Sequence, residues 1–192
     1  MKVLAVSGSL RRGSHNTNLL RAAAELAGDG VELVLWDGLK RVPPYDEDDD
    51  GPDAPAAVAE LRSAVAGADA LLLATPEYNA SVPGQLKNAL DWISRPLATN
   101  PIRNKHAAVV GASTGAFGAV WSQEELRKVL RTMGARVLDA GVAVGAAPSR
   151  FDEEERLVDE EVRGELAAVL GELVSAARER AASLPAQASA AA

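Results

Sequence analysis

Residues 2–36 read KVLAVSGSLRRGSHNTNLLRAAAELAGDGVELVLW, and this stretch decides the fold. Val3 to Val6 form a short apolar run that ends on Ser7 and Gly8. A polar loop follows, then a helical segment from about Asn18 to Ala27, then a second strand-like run from Val31 to Trp36. Two apolar strands joined through a helix are the opening of a parallel sheet, because a parallel connection needs a crossover. The pattern repeats outward. Pro55 to Ala66 places Val58, Leu61 and Val65 at helical spacing, and Ala70 to Ala74 is a continuous apolar strand of the kind buried on both faces. Pro83 suits a helix start, with Leu86, Leu90 and Ile93 as the apolar stripe, and Ala107 to Val110 is the next buried strand. Leu126, Val129, Leu130 and Met133 mark a further helix, Val137 to Val144 the last strand, and Val162, Leu166, Val169, Leu170 and Leu173 a long closing helix.

The expected architecture is α/β: a doubly wound, flavodoxin-like three-layer sandwich with a five-stranded parallel sheet in the order 2-1-3-4-5. One domain over residues 1–183 suits a chain of 192 residues with 47% hydrophobic content, and the Ala-, Ser- and Pro-rich residues 184–192 are expected to fray. No apolar run approaches the roughly 20 residues of a membrane span, so the expected location is cytoplasmic. The absence of cysteine removes thiol redox chemistry and a Cys nucleophile, so redox activity would require a bound cofactor. A net charge of −7 argues against a nucleic-acid partner while leaving room for a locally recognised anion.

In this fold ligands bind at the carboxyl ends of the strands beside the switch point, which directs attention to three loops. The first, Gly8 to Thr17, gathers Ser9, Arg11, Ser14, Asn16 and Thr17 at a helix start, where outward backbone N–H groups and a guanidinium suit a phosphate. Ser14 or Asn16 as a simple helix cap explains one of these donors and leaves the others. The loop lacks the spacing of a nucleoside-triphosphate or dinucleotide motif, so a monophosphate is the better ligand. The second, Thr75 to Gly84, offers Tyr78 as an aromatic surface and Asn79 as donor and acceptor, stiffened by Pro76 and Pro83. The third, Gly111 to Gly118, would close the opposite edge with Ser113, Thr114 and Gly115.

Taken together, GSLRRGSHNTNLL (Gly8 to Leu20) and TPEYNASVPGQLKNALDW (Thr75 to Trp92) resemble the NADPH-dependent FMN reductase family of flavodoxin-like quinone, azo and chromate reductases. The resemblance implies that Ser9, Arg11, Ser14, Asn16 and Thr17 hold the FMN phosphate, that Pro76, Glu77, Tyr78 and Asn79 contact the ribityl chain and isoalloxazine, and that Ser113, Thr114 and Gly115 lie at the far edge. It implies FMN as cofactor and NADPH or NADH as co-substrate. It further implies a small-molecule acceptor served by a ping-pong cycle, no catalytic side chain, and a homodimer or homotetramer with the helix after the second loop near the subunit contact. The third loop departs from the family's glycine-rich form at Ala116 and Phe117, which leaves Phe117 open to packing on a neighbouring subunit. The alternative is a flavodoxin-type electron carrier that docks protein partners.

Other residues are assigned structural roles. His15 and His106 lack a Cys partner or metal-ligand spacing. Trp36, Trp92 and Trp121 are expected to pack, the acidic run Asp46 to Asp50 to be a solvated loop, and Asp152 to Glu155 to favour the positive end of the last helix.

Overall fold

The computed structural model describes residues 1–51 and 53–183; the tail at 184–192 lies outside the described residues. The strands are β1 (Lys2–Ser7), β2 (Glu32–Trp36), β3 (Ala70–Ala74), β4 (His106–Ala112), β5 (Arg136–Val137) and β6 (Ala143–Val144). The α-helices are α1 (His15–Glu25), α2 (Ala56–Ala66), α3 (Gly84–Ile93), α4 (Val120–Thr132) and α5 (Glu160–Ser183). All strand pairs are parallel and the order is β2-β1-β3-β4-β5, with β6 also on β4, as the alternation of strand and helix requires.

Alternate side chains of each strand serve opposite cores. Val3, Ala5, Leu72 and Val110 join Leu19 and Leu20 of α1 and Leu166 and Leu173 of α5 on one face. Leu4, Val6, Leu71 and Val109 join Val58, Leu61, Leu86, Leu90, Leu126 and Leu130 on the other. Each core leucine here is essentially inaccessible, so truncating one to alanine costs about 2–5 kcal/mol.

The last strand is interrupted where the sequence pattern suggests continuity. Its two short pieces pair with β4, through Leu138 N–H to Ala107 O (2.9 Å) and Gly111 N–H to Val142 O (2.8 Å). Between them the chain bows away, and Nη2 of Arg127 in α4 donates to the Val109 carbonyl (3.3 Å). Gly141 leaves room for this, since a Cβ there would overlap the guanidinium and stand 2.6 Å from the same carbonyl oxygen.

Two further expectations are corrected. Asp50, the last of the acidic run, is not solvated: its carboxylate lies 2.7 Å from the Arg62 guanidinium, which also donates to Trp92 O. The start of α5 is capped by Asp159, whose Oδ1 accepts from Val162 N (3.0 Å), while Asp152 is turned back on Arg156.

After β3 the chain forms a two-residue hairpin, Tyr78 bridging Ser81, in which Asn79 (φ 53°) and Ala80 (φ 56°) are both left-handed. Asparagine tolerates that region and alanine pays for its Cβ. Ala80→Gly should therefore raise stability by about 0.5–1 kcal/mol after the extra chain entropy of glycine, and Ala80→Val should lower it, both read from urea midpoints. A second expectation concerns His106, whose Nδ1 is buried without a partner. Burial, then the charges of Arg136 and Arg180, hold its pKa below the usual imidazole value against a smaller pull from Glu179. The unfolded chain then binds the proton first, so stability should fall as pH drops below about 6.5, and His106→Gln should flatten the slope between about pH 7.5 and 5.5.

Candidate functional site

The three loops leave the sheet side by side because β1, β3 and β4 are aligned in register: Ser7 stands opposite Ala74, and Ala74 opposite Val110. Gly8 N donates to Ala74 O (2.7 Å), and a Cβ on Gly8 would come within 2.8 Å of Leu86 Cδ2, so the first loop turns flush against the second. Ser7 Oγ accepts from Ser9 N (3.3 Å) and from the Thr17 hydroxyl (2.9 Å), and Ser9 Oγ from Arg11 N (3.4 Å). Gly13, at φ 63°, brings the chain round to Ser14, the extended N-cap of α1, whose Oγ accepts from Thr17 N (3.4 Å). No acidic residue occupies the first turn of α1, and neither Arg11 nor Arg12 makes an ion pair among the described residues. A helix start with no acidic residue in its first turn, beside the unpaired Arg11 guanidinium, is a local attractor for an anion, with one carboxylate, Glu155, packed nearby against Gly13.

Asn16 works differently from its neighbours. It is buried, donating to Ala112 O (2.8 Å) and accepting from Ala112 N (2.9 Å), so its carboxamide ties α1 to the end of β4. The second loop is anchored to α4. Ala119, preceding that helix, is left-handed at φ 61° and offers no side-chain cap; Glu77 supplies one across space by accepting from Ser122 N (3.1 Å). The Ser122 hydroxyl donates to Pro76 O (2.9 Å), and Glu125 accepts from the Ser81 hydroxyl (2.6 Å) and Val82 N (3.2 Å), contacts that hold its carboxyl below the usual range. In the third loop Ser113 N donates to Val144 O (3.0 Å) and Ser113 Oγ accepts from Gly115 N (3.1 Å).

A cleft of about 140 Å³ draws on all three loops. Ser9, Arg11, Ser14 and Asn16 line it from the first, Pro76, Glu77 and Tyr78 from the second, and Ser113 and Thr114 from the third. The other candidates stand outside its walls. Thr17 lines a neighbouring cavity that shares Ser9 and Arg11, Asn79 is at the exposed hairpin tip, and Gly115 is fixed by Ala146 N donating to its carbonyl (2.9 Å). His15 and Ala112 are added to the lining. The His15 ring lies 5.2 Å from that of Phe151 and its Nδ1 is buried without a partner; burial, then the Arg11 charge, lower its pKa, with Glu155 opposing. Its place immediately after Ser14 was the available signal, whereas the partners of Asn16 and Glu77 lie 96 and 45 residues away.

The tryptophans divide. Trp92 is fully buried and donates to Pro43 O (2.9 Å), and Trp36 is half-buried. Trp121 is 51% exposed and meets the exposed Phe117 edge-on at 5.2 Å, so the expectation of ordinary packing fails for it.

Comparison with known proteins places this geometry among flavin reductases. Residues 1–149 match the family model described as NADPH-dependent FMN reductase. An NAD(P)H-dependent FMN reductase of Pseudomonas aeruginosa is 43% identical over 164 residues, covering 85% of this chain and 88% of its own. A 2-hydroxy-1,4-benzoquinone reductase of Burkholderia sp. is 35% identical over 181 residues, 94% of this chain and 98% of its own. Among solved structures, the flavoenzyme NAD(P)H:(acceptor) oxidoreductase FerB of Paracoccus denitrificans superposes with a TM-score of 0.84 at 31% identity, covering 93% and 97% of the two chains. With its strand order, its three converging loops and these matches, the chain belongs to the NADPH-dependent FMN reductase family.

Proposed function

We propose that FMN binds across the three loops, with its phosphate end in the cleft between them and its ring along the exposed second and third loops, and that the protein uses NAD(P)H to reduce a quinone, flavin, azo compound or similar small acceptor. The observation that supports this best is the meeting of all three loops at one cleft, with the free Arg11 guanidinium and the start of α1 in one wall and the exposed Tyr78 in another. The residues fit the cofactor's chemistry. Arg11, the Ser9 hydroxyl and the backbone N–H groups at the start of α1 would hold the phosphate. Pro76, Tyr78 and Asn79 would lie along the ribityl chain and ring, with Ser113, Thr114 and Gly115 at the far edge. Ser14 and Thr17 would take part while also shaping the turn. The Asn16 and Glu77 side chains would act chiefly by fixing the backbone around the ligand, since their polar atoms already serve Ala112 and Ser122.

FMN held by these loops would supply the hydride chemistry, and a ping-pong cycle between NAD(P)H and the acceptor would then ask no acid or base of the protein. The chain's own contribution is position and electrostatics. A cysteine-free chain has no disulfide to lose in a reducing compartment, in keeping with a cytoplasmic enzyme. Assembly as a homodimer or homotetramer would cover the exposed Phe117 and Trp121.

The rival reading is a flavodoxin-type carrier that waits for a protein reductase. Mixing the FMN-loaded protein anaerobically with NADPH or NADH separates them: the flavin absorption should bleach without any partner protein, and persistence of the colour would assign the carrier role. Arg11→Ala should weaken FMN binding by about 1.5–3 kcal/mol, the scale of a charge-assisted hydrogen bond. An unchanged dissociation constant in a calorimetric titration would remove Arg11 from the phosphate site.

A further inference from the structure

A second cavity, of about 230 Å³, opens on the opposite side of the first loop, between that loop and the end of β2. It shares Ser9 and Arg11 with the FMN cleft and adds Arg12, Trp36, Asp37 and Lys40. Its volume is below the roughly 300–1,000 Å³ of a pocket that takes a whole drug-sized ligand, and it suits one end of a longer molecule. Arg12 and Lys40 are exposed, and neither makes an ion pair among the described residues, whereas the adjacent Arg41 is held by Glu60. In a chain of net charge −7, two free cations beside the shared Arg11 face one carboxylate, Asp37. Trp36 forms an apolar wall, and its ring lies against Gly38, where a Cβ would overlap it. The cavity therefore combines a flat aromatic surface with unpaired positive charge, the complement of a purine nucleoside carrying a phosphomonoester.

We infer that this cavity binds the adenosine 2′-phosphate end of NADPH, with Arg12 and Lys40 on the phosphate and Trp36 against the base, and thereby sets a preference for NADPH over NADH. The inference rests on the FMN reading, because contact through Ser9 and Arg11 is what puts a ligand here next to the flavin. Asp37 would oppose the 2′-phosphate and accept from the unmodified ribose, so the balance of charge at this one cavity decides between the two nucleotides.

The test is steady-state turnover of the FMN-loaded enzyme with each nucleotide, together with binding of 2′-AMP and 5′-AMP to the same form. The wild type should favour NADPH in kcat/KM by about tenfold or more, and Arg12→Ala with Lys40→Ala should erase most of that ratio while NADH values stay within about twofold. Asp37→Asn should move the ratio the other way, and 2′-AMP should bind more tightly than 5′-AMP only while Arg12 and Lys40 are present. Equal use of the two nucleotides by the wild type, or an unaltered ratio in the double variant, overturns the inference. Equal loss with both nucleotides accompanied by weaker FMN uptake would also overturn it, by showing that these cations serve the flavin. Failure of the wild type to take up FMN at all would count against the flavin reading itself and is scored separately by titration.

Discussion

The reciprocal hydrogen bonds between the Asn16 carboxamide and the backbone of Ala112 are the constraint on which the rest of the site depends. They join the start of α1 to the end of β4, two points on either side of β3. A buried amide satisfied on both its donor and its acceptor is costly to break, because each freed partner would be left without water. The first and third loops are thereby held at a set separation, and the second loop, rising from the strand between them, forms the floor. The space the three enclose is thus set by the sheet and by one side chain.

The second loop owes its form to α4. That helix begins after a left-handed alanine that cannot cap it, and the missing cap comes from Glu77 in the loop. Ser122 and Glu125 return the favour by binding Pro76 O, the Ser81 hydroxyl and Val82 N. Helix end and loop are each completed by the other, which fixes the backbone around Tyr78 without using the side chains that stay exposed. Arg127, one turn further along, reaches the gap in the last strand, so one helix braces both the middle loop and the far edge of the sheet. Preorganisation of this kind lowers the ordering cost of binding a large rigid ligand.

Much of this was legible in the sequence. Apolar runs of strand length alternating with 3.6-residue stripes determine the layer order, and the clustering of Ser, Arg, Asn and Tyr at strand ends locates the site. Spacing also held information about Trp121: it precedes Leu126 by five residues, about 140° round the helix from the buried stripe, so exposure was readable there. What could not be read depends on contacts distant in the chain. Val137 to Val144 looks like one strand because the guanidinium that interrupts it comes from another helix, and the side-chain commitments of Asn16 and Glu77 are invisible until β4 and α4 are in place.

The unequal burial of the three tryptophans carries an optical consequence. Trp92 sits in a dry core beside Tyr45 and Trp36 is half-covered, whereas the Trp121 indole stands in water next to Phe117. In the isolated subunit its emission belongs at the long-wavelength end of the protein's fluorescence and is the component open to collisional quenchers such as iodide. The rim of the third loop thus carries a built-in reporter, whose colour and lifetime register whatever comes to rest against that edge.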